Sequence, residues 1–459
     1  MKLYVTILED TPDRAIEAIR RIDADHDGVE IRAEKFSSFD LRGLRAATAK
    51  PVIFTRRGLP FDASVFRDAI AAGLDYVDVE YAPGVQVTNR DRVVLSHHDF
   101  EGMPDVESLA RDMRAYGCAH VKIAVTPRTF ADNERLLRLL TTANKQPLSV
   151  IGMSERGLYS RILAPFKGSA LIFVSRTEER AAAPGQLSVH RALEIYGSKR
   201  DALRAGRVFA VVGNPAGHSL SPSIHNELFR QKDVPAAYTI ASVSSFDEIT
   251  GPLLNGEPCG LSVTVPFKVD AFRFAQQQKA TISENARDCE AVNTLVNIRG
   301  PRPEARGLLL ADNTDVDGFT SILSEVCGKD RKSVAIVGAG GTARAALVAV
   351  SRASLHATVF NRTESKGGDL ASRFGARGEP LDALSRFDGE IIINTTTSDV
   401  EVEMPSRPGT TYVESSYGNP AAARRLDRLR DNGVHVFDGL DLLRAQAVRQ
   451  HELFMKVFE

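Results

Sequence analysis

Eight short apolar runs dominate the first part of the chain, at residues 3–8, 29–31, 52–55, 76–79, 93–95, 120–125, 148–151 and 171–174. Each is too short for a buried helix but long enough for a strand. Helical patterns fill the spacers at 13–22, 64–72, 106–116 and 133–143, so the order reads as β/α alternation. Eight parallel strands, each followed by a helix or loop, predict a closed (β/α)8 barrel, here a short one ending near residue 200.

The chain has 459 residues, more than one ordinary core holds, since domains run to roughly 100 to 200 residues. Residues 196–206 are charged and helical, and a fresh strand begins at Val208. A boundary is expected there, with residues 1–202 as the barrel. Alternation of β and α resumes beyond it. The chain contains no internal repeat or low-complexity tract, and Pro301-Arg302-Pro303 reads as a turn.

Hydrophobic residues at 43% and charged residues at 25% are globular values. A net charge of −1 supplies no field for nucleic acid or anionic lipid, so local basic groups must bind any anion. Cys118, Cys259, Cys289 and Cys327 stand far apart without a C-x-x-C pair, which argues against a disulfide framework or zinc site and for a reducing compartment. The start, Met1-Lys2-Leu3-Tyr4-Val5, has neither signal-peptide nor transit-peptide character, and no stretch approaches the ~20 apolar residues that cross a bilayer. A cytoplasmic protein is expected, with small molecules rather than nucleic acid or membrane as partners.

Polar residues at the C-terminal ends of barrel strands line the active site, because the interior below them is packed with aliphatic side chains. The candidates are Glu30 and Arg32, Arg56 and Arg57, Glu80, His97 and His98, Lys122, Arg161 and Gln186. Lys122 sits within an apolar strand, Val121-Lys122-Ile123-Ala124-Val125. It could snorkel outward; buried in apolar surroundings, it would instead become a neutral amine able to attack a carbonyl and form an imine. A nearby imidazole would serve as general base and acid. The arginines would bind a small carboxylate substrate.

These residues resemble type I 3-dehydroquinate dehydratase over about the first 200 positions. The resemblance rests on Val29-Glu30-Ile31-Arg32, Thr55-Arg56-Arg57, Asp78-Val79-Glu80, Ser96-His97-His98-Asp99, the Lys122 strand, Met153 through Arg161, and Ala183-Pro184-Gly185-Gln186. It implies that Lys122 forms an imine with the C3 carbonyl of 3-dehydroquinate. His98, oriented by Glu80, removes the C2 proton and protonates the departing C1 hydroxyl. Glu30, Arg32, Arg57, Arg161 and Gln186 hold the ring and its carboxylate. His97 stands where the family usually has another residue, so two adjacent histidines compete for the role, with His98 expected. Ala182 replaces a common serine, which implies one missing hydrogen bond.

In the second half, Gly338-Ala339-Gly340-Gly341-Thr342-Ala343 follows a clean strand and opens a helix. That context makes a glycine pattern a pyrophosphate site: a tight turn, close backbone approach, and a helix N-terminus facing the anion. The next strand ends in Asn361-Arg362-Thr363 where an NAD enzyme would carry an acidic residue. Arg362, with Thr363 and Lys366, therefore favours the 2′-phosphate of NADP.

Ser219-Leu220-Ser221-Pro222 can be read as a helix start, with Ser221 as N-cap and Pro222 first in the helix. Lys268 alone reads as a strand-end lysine, and Asp315 as a helix cap. Together with Ala291-Val292-Asn293-Thr294, Ile393-Asn394-Thr395, Tyr417-Gly418-Asn419-Pro420 and the run from Gly439 to Ala447, they resemble shikimate dehydrogenase across 207–459. The resemblance implies two α/β lobes: residues 203–312 with a C-terminal helix 441–459 for substrate, and a Rossmann lobe 313–440 for NADP. It places Ser219 and Ser221 on the substrate carboxylate and Thr264, Asn293, Asp315 and Gln446 on the ring hydroxyls. Tyr417 joins the substrate set, and Asn394 and Gly439 the cofactor set. Lys268, paired with Asp315, would move a proton as hydride transfers to the ketone. Ser262 replaces a common asparagine, as in bifunctional plant-type members.

The expected function is dehydration of 3-dehydroquinate followed by NADPH-dependent reduction of 3-dehydroshikimate to shikimate. Two alternatives keep the folds: a quinate/shikimate-type dehydrogenase fusion using NAD, and a non-catalytic metabolite-sensing regulator. The presence of Lys122, His98, Lys268 and Asp315 opposes the regulator, and Arg362 opposes NAD.

Overall fold

The computed structural model describes every residue except 59–62, 142–145, 199–202, 204–205, 299–307, 327–332, 397–403 and 419. The junction expected at residue 202, the Pro301-Arg302-Pro303 turn and Cys327 lie outside the described residues. The chain divides into two units, Met1–Ala210 with Pro215–Ser244, and Val211–Asn214 with Ser245–Glu459.

In the first unit, the eight expected strands all form: β1 (Lys2–Leu8), β2 (Gly28–Arg32), β3 (Val52–Thr55), β4 (Tyr76–Glu80), β5 (Val93–Asp99), β6 (His120–Val125), β7 (Leu148–Gly152) and β8 (Leu171–Ser175). They pair in parallel, in the order β7-β6-β5-β4-β3-β2-β1-β8. At the seam between β7 and β8, Ala170 N–H donates to Leu148 O at 2.9 Å and serine side chains supplement the backbone bonding. Ser149 Oγ accepts from Leu171 N–H at 2.8 Å and donates to Leu171 O at 2.9 Å, which satisfies backbone groups that an open edge would leave bare.

Helices α1 (Pro12–Arg20), α2 (Leu41–Ala46), α3 (Ala63–Ala71), α4 (Val106–Ala115), α5 (Phe130–Arg138), α6 (Leu158–Leu163) and α7 (Val189–Tyr196) follow the strands. Their starts have local causes. Thr11 caps α1 just before Pro12, Asp105 caps α4, and Thr129 with Asp132 forms a capping box on α5. Strand side chains alternate between faces, and Tyr4, Ile53, Val94, Ala124, Ile151 and Phe173 cluster in the barrel interior. Positions two residues further along the same strands therefore share that interior face.

β9 (Arg207–Gly213) runs from the first unit into the second. The first unit also contains α8 (Ser221–Gln231) and β10 (Ala236–Ser242). Helix α8 begins at Ser221 itself: Leu220 is already helical (φ −86°, ψ −5°) and there is no side-chain cap. The N-cap expected at Ser221 thus moves one residue back, and Pro222 is the second helical residue.

The second unit holds α9 (Asp247–Asn255), β11 (Gly260–Val263), α10 (Lys268–Gln277), β12 (Thr281–Ile282), α11 (Glu284–Cys289), β13 (Thr294–Ile298), β14 (Leu308–Asp312) and α12 (Asp315–Val326). Strands β11, β13, β14 and β12 hydrogen-bond in that order. The remaining elements are β15 (Ser333–Val337), α13 (Gly341–Arg352), β16 (His356–Asn361), α14 (Glu364–Arg373), β17 (Arg377–Pro380), β18 (Ile391–Asn394), β19 (Thr411–Glu414), α15 (Pro420–Asp431), β20 (His435–Phe437) and α16 (Gly439–Met455). The order β17-β16-β15-β18-β19-β20, parallel throughout, is the doubly wound arrangement that binds a dinucleotide where the winding reverses, beside the first strand. Here that strand is β15. The C-terminal helix begins at Gly439, with Asp438 and Asp441 forming a capping box.

Candidate active sites

Lys122 is 3% exposed and points inward, as its phase with Ala124 dictates. Its Nζ donates to Glu30 Oε1 at 3.0 Å and Asp78 Oδ2 at 3.2 Å, and lies 3.9 Å from the centroid of the Phe173 ring. The expected apolar, unpaired amine is corrected by this geometry. Inward positions on β2 and β4 place two carboxylates against it, and Asp78, present in a quoted motif, had been given no role.

A chain of hydrogen bonds runs through the barrel mouth. Gln186 Nε2 donates to Thr6 Oγ1 at 3.2 Å, and Thr6 donates to Glu30 Oε2 at 2.9 Å. Beyond Lys122 and Asp78, Ser96 Oγ donates to Asp78 at 2.5 Å. Glu80 Oε2 lies 2.7 Å from His98 Nδ1, and its Oε1 accepts the His98 N–H at 2.8 Å. Thr6 and Ser96 were also missed; both are short polar residues in phase with the interior.

Register separates the two histidines. His98 shares the phase of Val94 in the interior cluster, whereas His97 lies on the opposite face of β5 and its Nε2 is buried without a hydrogen bond. Burial, with Arg57 and Lys122 nearby, overrides the bond to Glu80 and depresses His98 to about 3. The ring is therefore a neutral base at ordinary pH, with Nδ1 held by Glu80 and Nε2 left for chemistry. Burial alone would raise the Glu30 carboxyl, but Lys122, Arg32 and Arg57 outweigh it and hold the group at about 2. Asp78 is lowered too, with Lys122, Arg57 and Ser96 overcoming its burial.

Arg57 approaches Asp78 (3.8 Å) and Glu80 (4.0 Å), and its Nη2 is buried without a hydrogen bond, a donor poised for an anion. Its neighbour Arg56 points elsewhere, 5.2 Å over the Phe39 ring. Arg32 pairs with Glu34. Arg161, 5% exposed, reaches Pro184 O at 3.2 Å, and burial lowers it to about 10. Gln186 Oε1 accepts the Ala182 N–H at 2.6 Å, so position 182 contributes through its backbone where a serine hydroxyl was expected to be missed.

Ser219 and Ser221, both 5% exposed, lie in the first unit, and Ser221 N–H donates to Ser219 Oγ at 3.3 Å. The second unit brings together Lys268, Asp315, Asn293 and Gln446. Lys268 opens α10 and Asp315 opens α12. Lys268 Nζ donates to Asp315 Oδ2 at 2.5 Å and to Thr342 Oγ1 at 2.9 Å. Asn293 Nδ2 donates to Asp315 Oδ1 at 2.9 Å, and Thr314 Oγ1 donates to Gln446 Oε1 at 2.9 Å. Ser262 donates to Gln450 Oε1 at 2.6 Å, a partner on the C-terminal helix that the sequence reading did not name. Thr264 is half-buried in the turn between β11 and α10, and Tyr417 is half-buried after β19. Asn419 lies outside the described residues.

The segment after β15 suits a dinucleotide. Gly338 has φ +108°, and Gly340 caps α13 with no side-chain hydrogen bond, so the first amides of that helix are not claimed by a capping group. A Cβ at Gly341 would stand 2.8 Å from Lys268 Cβ, so close approach demands glycine there. Arg362, Thr363 and Lys366 are exposed just past β16, and Asn361 Nδ2 donates to Thr363 O at 2.8 Å. Asn394 spends its amide on Glu414 and its oxygen on Thr396, which fixes the loop after β18.

Residues 3–201 match the type I 3-dehydroquinase family and residues 211–295 the shikimate dehydrogenase substrate-binding domain. The chain is 26% identical over 498 aligned positions to the bifunctional 3-dehydroquinate dehydratase/shikimate dehydrogenase, chloroplastic, of Arabidopsis thaliana, covering 98% of this chain and 81% of that one. It is 30% identical to the pentafunctional AROM polypeptide of Zygosaccharomyces rouxii, covering 76% of this chain but 23% of that protein. Among solved structures, shikimate 5-dehydrogenase from Thermus thermophilus, in complex with NADP(H) and shikimate, is 27% identical, with a TM-score of 0.46 over 54% of this chain and 93% of that one. The chain joins, in one polypeptide, a type I 3-dehydroquinase domain to a shikimate dehydrogenase.

Proposed function

We propose that the two halves catalyse consecutive steps, the barrel dehydrating 3-dehydroquinate and the second half reducing 3-dehydroshikimate to shikimate with NADPH. The observation that carries the first step is the buried Lys122 amine facing His98 across a continuous hydrogen-bonded network. Once deprotonated, Lys122 adds to the C3 carbonyl and water leaves, giving an iminium. Its positive charge replaces that of the ammonium, so Glu30 and Asp78 stabilise both. His98 Nε2 takes the C2 proton, and the electron pair moves into the iminium to form an enamine. His98 then returns a proton to the C1 hydroxyl, which departs as water, and hydrolysis of the imine frees product and Lys122. Arg57, Arg161 and Gln186 hold the carboxylate and ring, and Arg32 fixes Glu30 electrostatically.

In the second half, NADPH when bound supplies hydride to the ketone carbon. Gly338 to Ala343 would hold its pyrophosphate, and Arg362, Thr363 and Lys366 its 2′-phosphate, with Asn361, Asn394 and Gly439 shaping the pocket walls. Lys268 gives a proton to the oxygen that becomes the hydroxyl, and Asp315 orients it. Thr264, Asn293, Asp315, Tyr417 and Gln446 bind ring hydroxyls, and Ser219 and Ser221 the carboxylate. The functional division is 1–202, 203–312 with 441–459, and 313–440. A cytoplasmic setting fits Cys118, Cys259 and Cys289, which are buried thiols outside any disulfide; among the described residues no helix is long and apolar enough to cross a membrane. Purified protein given 3-dehydroquinate and NADPH should oxidise the cofactor and accumulate shikimate. No turnover of 3-dehydroquinate or of 3-dehydroshikimate would end this reading.

A further inference from the structure

Three donors converge on one oxygen of Glu155, a barrel residue in the loop between β7 and α6. Its Oε1 accepts from Ala216 N–H at 2.7 Å, Gly217 N–H at 2.8 Å and Ser242 Oγ at 2.8 Å. Ala216 and Gly217 begin the segment that carries Ser219 and Ser221. A second barrel side chain holds the other end: Arg191, on α7, donates to Ser219 O and, at 2.7 Å, to Ser223 Oγ. Inside the segment, Ser219 N–H donates to Ala216 O at 3.0 Å. The two serines therefore sit in a segment held at 216–217, at 219 and at 223 by side chains, Glu155 and Arg191, that belong to the other enzyme of the fusion. Nothing in the dehydration chemistry uses Glu155 or Arg191.

We propose that Glu155 and Arg191 are positioning residues for the dehydrogenase, through which the barrel half sets the geometry of the serine pair and hence affinity for the substrate carboxylate. This rests on the reading of Ser219 and Ser221 as the carboxylate site. An anion must be met by donors already in place, because ordering a loop on binding costs affinity. A carboxylate accepting two backbone N–H groups makes charge-assisted bonds, stronger than neutral ones, and is suited to fixing such a loop. Burial opposes the charge on Glu155, but Ser242, Gly217, Ala216 and His218 together keep its carboxyl below the usual range, so the clamp persists at working pH. A dehydrogenase without a barrel must hold this segment by other means.

The test uses the full chain and measures shikimate oxidation. Glu155→Ala and Arg191→Met should each raise KM for shikimate about tenfold, with Glu155→Gln intermediate. KM for NADP and dehydratase kcat/KM should stay within about twofold, a split that general loosening of the fold would not produce. Ser221→Ala serves as the reference and should raise KM for shikimate at least as much. If it does while Glu155→Ala and Arg191→Met leave KM unchanged, the clamp is overturned and the serine site stands. If Ser221→Ala also leaves KM unchanged, the serine reading fails and the clamp with it. Parallel losses in both activities would mark the two residues as merely structural and likewise overturn the proposal.

Discussion

Lys122 and Lys268 are both buried amines beside carboxylates, yet their settings differ in a way that matches two chemistries. Lys122 sits mid-strand on β6, and its partners Glu30 and Asp78 come from β2 and β4, strands that do not adjoin it, at positions the pleat aims inward. Together with the Phe173 face, they form a fixed cage for a positive charge that persists from ammonium to iminium. Lys268 opens a helix, where the macrodipole disfavours a cation, and has Asp315 as counter-charge and Thr342 of the glycine-rich segment as neighbour. One lysine is built to keep its charge while bonded to carbon. The other is built to pass a proton next to the cofactor segment.

The sharpest break between the two is mutational. Lys122→Ala should lower dehydratase kcat by on the order of 10⁴-fold or more, since a covalent route is lost, with shikimate oxidation unchanged within twofold; steady-state assays of both halves check this. Lys268→Ala should lower dehydrogenase kcat by about 10²- to 10³-fold, a general acid-base effect, and spare the dehydratase. Comparable residual rates in the two variants would mean that the lysines do the same kind of work. Further from the chemistry, Arg362→Ala should raise KM for NADPH about tenfold and leave KM for NADH unchanged, as expected when one charge-assisted contact to phosphate is removed. Equal effects on both cofactors would remove Arg362 from the phosphate site.

The smallest effect concerns protons. His98 is held neutral down to about 3, whereas an exposed imidazole protonates near 6.5. Between those values the unfolded chain binds a proton that the folded chain refuses, so stability rises with pH across the window and falls as pH drops through it. His98→Gln should reduce this slope in denaturant titrations, leaving the share of His120, which burial also holds at about 3. Dehydratase kcat/KM should likewise pass through pH 6.5 without the descending acid limb of a free histidine. A limb at the ordinary imidazole value would contradict a buried, neutral base.

The barrel's eight strands were legible because apolar runs of strand length kept recurring, and the Rossmann lobe because a glycine-rich turn followed a clean strand. The site was less so. Asp78 and Ser96 each lie two residues before a recognised position, Glu80 and His98, and Thr6 shares the interior phase of Tyr4, so strict alternation along β1, β4 and β5 would have found them; attention to strand ends alone did not. The same alternation separates His98 from His97, once β5 is known to run to Asp99 instead of stopping at Leu95. Helix starts at Ser221, Lys268 and Asp315 shifted by a residue or changed type, because one backbone dihedral decides a cap and sequence does not fix it. The contacts of Glu155 with the amides of Ala216 and Gly217 were out of reach altogether: any acceptor satisfies a backbone N–H, so no residue type marks the partner.

Lys122 becomes covalently bonded to its substrate in the proposed dehydration, and that bond can be trapped. Borohydride added during turnover of 3-dehydroquinate reduces an imine to a stable amine, and peptide mass spectrometry then locates it. A single adduct on Lys122 is expected, absent from Lys122→Ala and present in Lys268→Ala. Turnover with no adduct, or an adduct on another lysine, would contradict it.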